Sequence, residues 1–179
     1  MNSYVELASK LVLLVPSYLS NTSPLIVRKF LKRVHPVDFG RNFLDGRRVF
    51  GDSKSWEGLL AGVLVGMLSG VALLAFYHSS LHDLAIAGLV QGVGSMLGDL
   101  ANSFLKRRLG LKPGSLLPVL DQTSFILVSL LLVKLLKVDL RVGVELGLIE
   151  LVVAITLALV LHPIANYVAY LAKLKEVPY

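Results

Sequence analysis

Residues Gly58–Tyr77 read GLLAGVLVGMLSGVALLAFY, about the 20 apolar residues that one helical crossing of a bilayer needs. Gly58, Gly62, Gly66 and Gly70 return at every fourth position and so lie along one helix face. In lipid, where apolar side chains gain nothing by leaving the solvent, such a face lets a second helix approach backbone to backbone. The stretch therefore predicts a membrane helix with a close-packed neighbour. The whole chain agrees: of 179 residues 55% are hydrophobic and only 17% charged, with mean hydropathy +0.72, against about 25% charged in soluble domains.

Working outward, the chain predicts an all-α polytopic membrane protein of about five spans in a single domain over residues 1–179. A first span over about Tyr4–Val27 carries Pro16 and a polar patch at 20–24, read as a proline kink whose hydroxyls bond back to their own carbonyls. Asn21 facing a cavity is the alternative. The amino-terminal residues lack a basic n-region, so this stretch is expected to be retained. The second span is Gly58–Tyr77 and the third about Leu84–Leu105. The turn between them holds His78 and His82, read as interfacial polar residues. The fourth runs over about Ser115–Leu136, with Pro118 suited to its first turn. After a turn at 137–142 the fifth extends to about Ala172, with Glu150 paired inside it and His162 serving carbonyls freed by Pro163.

The loops at about 28–57 and 106–115, with the tail, hold 14 of the 18 Lys and Arg residues. By the positive-inside rule they face the cytoplasm of a cell-membrane protein, with the amino terminus outside and the carboxy terminus cytoplasmic. The net charge of +6 then reflects topology and an anionic substrate; no nucleic-acid motif accompanies it. The cluster Arg28, Lys29, Lys32, Arg33 reads as a topology anchor at anionic lipid headgroups. There is no cysteine, which excludes thiol nucleophiles, disulfides and Cys-ligated metals.

Two stretches carry chemistry. Asp38–Glu57 combines Arg41, Arg47, Arg48 and Lys54 with Gly40, Gly46 and Gly51 and four carboxylates, the make-up of a polyphosphate site. On the third span Gln91, Ser95, Asp99, Asn102, Ser103 and Lys106 stack on one stripe. An ionisable residue such as Asp99 on a membrane helix defaults to function. Asp121, at the start of the fourth span, is placed on the same membrane side, so the two carboxylates can share divalent cations.

The run Asp45–Gly58, DGRRVFGDSKSWEG, closely resembles the cytoplasmic loop of the archaeal CDP-archaeol synthase family. Gly98-Asp99-Leu100-x-x-Ser103-Phe104-x-Lys106-Arg107-Arg108 followed by Pro118-x-x-Asp121-Gln122 resembles that family's second motif, and is similar to the wider CDP-diacylglycerol synthase signature. Lys112 is followed by Pro113 instead of Asp, no His-Gly-Gly run occurs, and Gln122 stands where the wider signature has Arg. These departures agree with the archaeal branch.

The resemblance implies transfer of CMP from CTP to an isoprenoid ether-lipid phosphate (2,3-di-O-geranylgeranylglyceryl phosphate), giving CDP-archaeol and pyrophosphate in phospholipid biosynthesis. Within that reading, Asp99 and Asp121 hold Mg2+. Arg47, Arg48 and Lys54 hold the triphosphate, and Lys106, Arg107 and Lys112 hold the lipid phosphate or pyrophosphate. Asn42 and Ser53 contact cytidine or ribose, while Asp45, Gly46, Gly51 and Asp52 of the loop and Ser103 of the third span complete the substrate-binding set. Two other classes compete: a CTP-dependent polyprenol kinase, which would release CDP, and a non-enzymatic transporter or adaptor whose basic loops are anchors only. A CDP-alcohol phosphotransferase fits poorly, because no downstream pair of aspartates four residues apart follows Asp45-Gly46-x-Arg48.

Overall fold

The computed structural model describes residues 3–31, 33–112 and 114–174; Lys32, Pro113 and Lys175 of the basic segments above lie outside the described residues. These fold into α1 (Ser3–Val12), α2 (Val15–Phe30), α3 (Trp56–Ala72, prolonged by a 3-10 turn Leu73–Ala75), α4 (Leu81–Arg108), α5 (Leu120–Leu135), the single turn α6 (Val138–Arg141) and α7 (Leu148–Leu171). Among the described residues three helices are long and apolar enough to cross a membrane: Trp56–Ala75, Leu81–Arg108 and Leu148–Leu171.

The glycine face at 58–70 is buried throughout. A Cβ on Gly66 would meet the Gly88 carbonyl oxygen and Gly92 Cα, each at 2.7 Å, and one on Gly70 would meet the Leu84 carbonyl oxygen at 2.4 Å. The partner of α3 is thus α4, and the crossing is backbone on backbone. On its other side α4 uses Gly94 and Gly98 against α5, where added Cβ atoms would lie 2.5 Å from Ser129 Cα and 2.3 Å from the Ser124 carbonyl oxygen. A helix with glycines on two faces becomes the centre of the bundle, and α4 is that helix.

The first apolar stretch departs from its expected form. It is two helices, because the chain turns at Leu13–Leu14, ahead of Pro16, and Pro16 enters the first turn of α2, where its missing N–H costs nothing. Side chains of α4 bond backbone carbonyls at and just after the break, and Ser129 of α5 joins the Ser17 hydroxyl. Gln91 Nε2 donates to the Leu13 carbonyl at 2.8 Å, Ser95 Oγ donates to the Ser17 carbonyl at 3.1 Å, and Ser17 Oγ joins Gln91 Oε1 and Ser129 Oγ at 2.9 and 2.6 Å. Thr22 and Ser23 do bond back to the carbonyls of Leu19 and Ser20.

The fourth helix also starts later than its sequence suggests. Residues 115–119 are not helical, Val119 has φ +68°, and α5 opens at Leu120, so Pro118 precedes the helix. The 137–142 turn contains α6, whose buried Asp139 accepts from Lys134 Nζ at 2.7 Å. Glu150 pairs with Lys10 of α1 at 3.2 Å and accepts the Gly147 N–H at 2.8 Å. His162 lies against Phe125 and meets Asn166 Nδ2, so its neighbours are side chains and not only the carbonyls around Pro163. His82 lies 3.9 Å from Asp83. Among the described residues no three His, Cys, Asp or Glu side chains gather.

At one end of the bundle α1, the α3–α4 turn and the start of α7 meet: Tyr77 Oη donates to the Ser9 carbonyl, and Lys10 reaches Glu150. At the other end lie the close of α2, the start of α3, the close of α4, the start of α5 and the 31–55 loop.

Candidate active site

Among the described residues the 31–55 loop has no strand, only two isolated antiparallel bridges, Pro36 with Ser55 and Asn42 with Arg48. Its centre is Asp38, buried to 6% exposure. One carboxylate oxygen accepts from the Gly40 N–H at 3.1 Å and Arg48 Nη2 at 2.6 Å. The other accepts from the Phe50 and Gly51 N–H groups, both at 2.9 Å, and from Arg48 Nε at 3.3 Å. Burial by itself pushes the carboxyl pKa up; the Arg48 guanidinium and the three backbone donors more than reverse this and hold it well below the ordinary carboxylate range. The same pair, with Asp52 at 2.8 Å, raises the Arg48 pKa further above its already high value.

The loop docks on the last two turns of α4. Ser103 Oγ donates to the Phe50 carbonyl at 2.8 Å. Arg47 Nη1 donates to the Arg108 carbonyl at 2.6 Å, a terminal helix acceptor that has no partner within α4. Arg108 answers by pairing with Asp45 at 2.5 Å and donating to the Arg48 carbonyl at 2.6 Å, its guanidinium lying 4.8 and 4.9 Å from the ring centres of Phe43 and Phe104.

Beneath the loop lies the acid–base cluster. Lys54 Nζ contacts both oxygens of Asp99 at 2.6 Å. Lys106 Nζ is 2.5 Å from Asp121 Oδ1 and donates to the Ser115 carbonyl at 2.9 Å. Asn102 Nδ2 donates to Asp121 Oδ1 at 2.6 Å, and the Leu117 N–H donates to Asp121 Oδ2 at 2.8 Å. Asp99, Asn102 and Lys106 stand at i, i+3 and i+7 of α4, hence on one face. The Gly98 contact brings α5 within reach of that face. Asp99 and Asp121 therefore occupy the same end of the bundle, each engaged by one ammonium group, with Asn102 bonded to Asp121 and one helical turn from Asp99.

Asn102 and Asp38 were not among the site residues expected from sequence. Asn102 lies on the polar stripe of the third span, which is its signal in the sequence; Asp38 is one of four carboxylates in its stretch, and only its partners in the fold set it apart. Of the expected residues, Lys54, Asp99, Ser103, Lys106 and Asp121 come together at the buried end of the loop. Asp45, Gly46, Arg47 and Asn42 lie on the exposed outer hairpin, where Gly46 takes φ +76°. Arg48, Asp52 and Gly51 belong to the Asp38 knot. Ser53 is exposed, and so is Lys112, whose carbonyl accepts from Arg107 Nη2 at 3.3 Å.

The donor set fits a hard divalent cation. Asn102 Oδ1 is buried without a hydrogen-bond partner among the described residues, and such an orphaned oxygen asks for a ligand. With the two carboxylates it makes an all-oxygen set of protein donors, small enough for magnesium, which keeps waters and phosphate oxygens in its shell.

The chain matches the family model described as CarS-like, CDP-archaeol synthase, over residues 4–179. The CDP-archaeol synthase of Saccharolobus islandicus (strain Y.N.15.51 / Yellowstone #2) is 34% identical over 179 residues, all of both chains. That of Pyrobaculum islandicum (strain DSM 4184 / JCM 9189 / GEO3) is 39% identical over 169 residues, 94% of this chain and 96% of the relative. A solved structure, described as an intramembrane enzyme for archaeal membrane lipids biosynthesis, superimposes with TM-score 0.71 at 36% identity, covering 87% of this chain and 90% of its own.

Proposed function

This chain belongs to the CDP-archaeol synthase family, and from that premise we propose that its Lys54–Asp99 and Lys106–Asp121 pairs form the site where CMP passes from CTP to a lipid phosphate. The protein is a membrane-embedded nucleotidyltransferase that forms CDP-archaeol in archaeal lipid synthesis. One oxygen of the lipid phosphate attacks the α-phosphorus of CTP; the bond from that phosphorus to the bridging oxygen breaks, and pyrophosphate leaves with the electron pair. No protein nucleophile is needed. The obstacle is mutual repulsion of two anions, so positioning and charge neutralisation carry the catalysis.

The observation that carries this reading is the placement of the Lys54–Asp99 pair and the Lys106–Asp121–Asn102 group on one face of α4 and the start of α5, under an arginine-bearing loop. Lys54 and Lys106, each held by a carboxylate, are preorganised to meet phosphate oxygens. Asp99, Asp121 and the Asn102 oxygen would hold Mg2+, which when bound neutralises phosphate charge and steadies the leaving pyrophosphate. Arg47 and Arg107, on the rim, favour approach of the triphosphate, and the exposed Asn42 and Ser53 are available to cytidine or ribose. Arg48 acts through Asp38, by keeping the loop in shape.

The finer topology belongs to the same proposal. The chain is one domain of five crossings, α1 and α2 together making the first and α5 the fourth, in the cell membrane, with the loop end cytoplasmic where CTP is supplied. At 16 residues each, α2 and α5 span about 24 Å, less than the roughly 30 Å hydrocarbon core. A site at their ends then sits below the headgroup level, where a lipid phosphate can reach it sideways. The test is purified protein with labelled CTP, magnesium and either ether- or ester-linked lipid phosphates. A CMP-bearing lipid plus pyrophosphate is expected, with the ether lipid preferred; release of CDP would make the protein a kinase instead.

A further inference from the structure

Near the loop end α2 and α7 part and leave a groove of about 610 Å3, which shares no lining residue with the Asp99 and Asp121 site. Farther in, Tyr18 Oη ties the helices by donating to the Ala154 carbonyl at 2.6 Å; at the mouth Lys29 Nζ donates to the Ala172 carbonyl at 3.2 Å. Between these ties the wall is apolar, with Leu25 and Leu171, and the mouth holds Arg28, Lys29, Lys173 and the ring of Tyr170. Among the described residues no carboxylate lines it.

Two helices end here, and cations beside helix C-termini have a simpler use, which is to offset the dipoles. That use accounts for Lys29, which touches a terminal carbonyl. It does not account for Arg28 and Lys173, whose side chains have no hydrogen-bond or ion-pair partner among the described residues. Lys173 moreover occupies the left-handed residue that closes α7, at φ +56°, with the Leu174 N–H returning to the Ala169 carbonyl at 2.8 Å. Glycine is the low-strain residue at that position. A lysine there presents its ammonium to the groove at a cost in backbone strain.

We propose that this groove is a binding site for an intact anionic bilayer lipid, separate from the site of CMP transfer. The phosphate headgroup sits among Arg28, Lys29 and Lys173, and a hydrocarbon tail lies along the Leu25 and Leu171 wall. Charge complementarity selects the headgroup, and the apolar wall selects a lipid over a free anion. Tyr170 at the rim is the amphipathic side chain expected at the headgroup boundary.

The test is native mass spectrometry of the purified full chain in detergent with an equimolar mixture of phosphatidylglycerol and phosphatidylcholine. The expected result is selective retention of phosphatidylglycerol, which excess inorganic phosphate does not displace. Arg28→Gln with Lys173→Gln should weaken retention about thirty-fold, as two charges at a membrane surface predict, while Lys173→Arg retains it. CTP turnover of the double variant in detergent should match the parent and reports correct folding. If the double variant does not fold, Lys173→Gln alone, at an exposed position, should lower retention about five-fold. Equal retention of both lipids, unchanged retention in the folded variants, or complete displacement by inorganic phosphate would each overturn the proposal.

Discussion

Asp38 and Asp99 are both aspartates engaged by a cationic side chain, yet their surroundings give them different work. Asp38 spends both oxygens on five donors inside the loop, so its charge is structural. Replacing it by Asn leaves Arg48 short of a partner and should cost about 3 kcal/mol of loop stability, read as a lower Tm. Because its folded pKa is depressed, its contribution is complete above the unfolded value near pH 4 and is lost as pH falls through the folded value. The parent should therefore lose its Tm advantage over Asp38→Asn on acidification below about pH 4, and show none of that loss between pH 6 and 8. Asp99 is bound by a single donor group, the Lys54 ammonium, in place of five. Asp99→Asn should fold normally and lose about a hundred-fold or more in kcat at saturating magnesium; normal turnover would remove Asp99 from the site.

At the scale of elements, glycine positions that look alike in sequence differ by what faces them. At Gly66 an added Cβ meets backbone atoms of α4 at 2.7 Å, and backbone cannot swing aside. Gly66→Val should push α3 from α4 and lower Tm severely. Gly46 has nothing within 4 Å but sits at φ +76°, so Gly46→Ala should cost only about 1 kcal/mol of local strain. Melting both variants alongside the parent checks the contrast; equal losses would mean that the α3–α4 crossing is looser than its geometry. The proline break between α1 and α2 obeys a similar logic, since it is tolerated because Gln91 and Ser95 supply partners from another helix.

For the whole molecule, the arrangement of ends makes the topology testable in a chain without cysteine. His78 and Leu44 are exposed at opposite ends of the bundle. A membrane-impermeant maleimide should label His78→Cys in intact cells and Leu44→Cys only after permeabilisation. The reverse pattern would place the acid–base cluster away from the cytoplasmic CTP supply and overturn the proposed orientation.

The composition and the fourfold glycine spacing were enough to specify a helical membrane protein and the close approach of Gly58–Gly70 to a neighbour, because both depend on local periodicity and on what lipid can solvate. Asp99 and Asp121 stood out for the same reason, as carboxylates whose burial in an apolar chain demands a use. The sequence did not disclose the α1–α2 break, the late start of α5, the Asp38 knot, or the Asn102 bond to Asp121. Most of these depend on which donor reaches a given acceptor once the helices have packed, as with Gln91 on Leu13, 78 residues apart, and Asn102 on Asp121, 19 apart. Hydrogen-bond partners at that separation are chosen by three-dimensional proximity, and only the tertiary structure decided them.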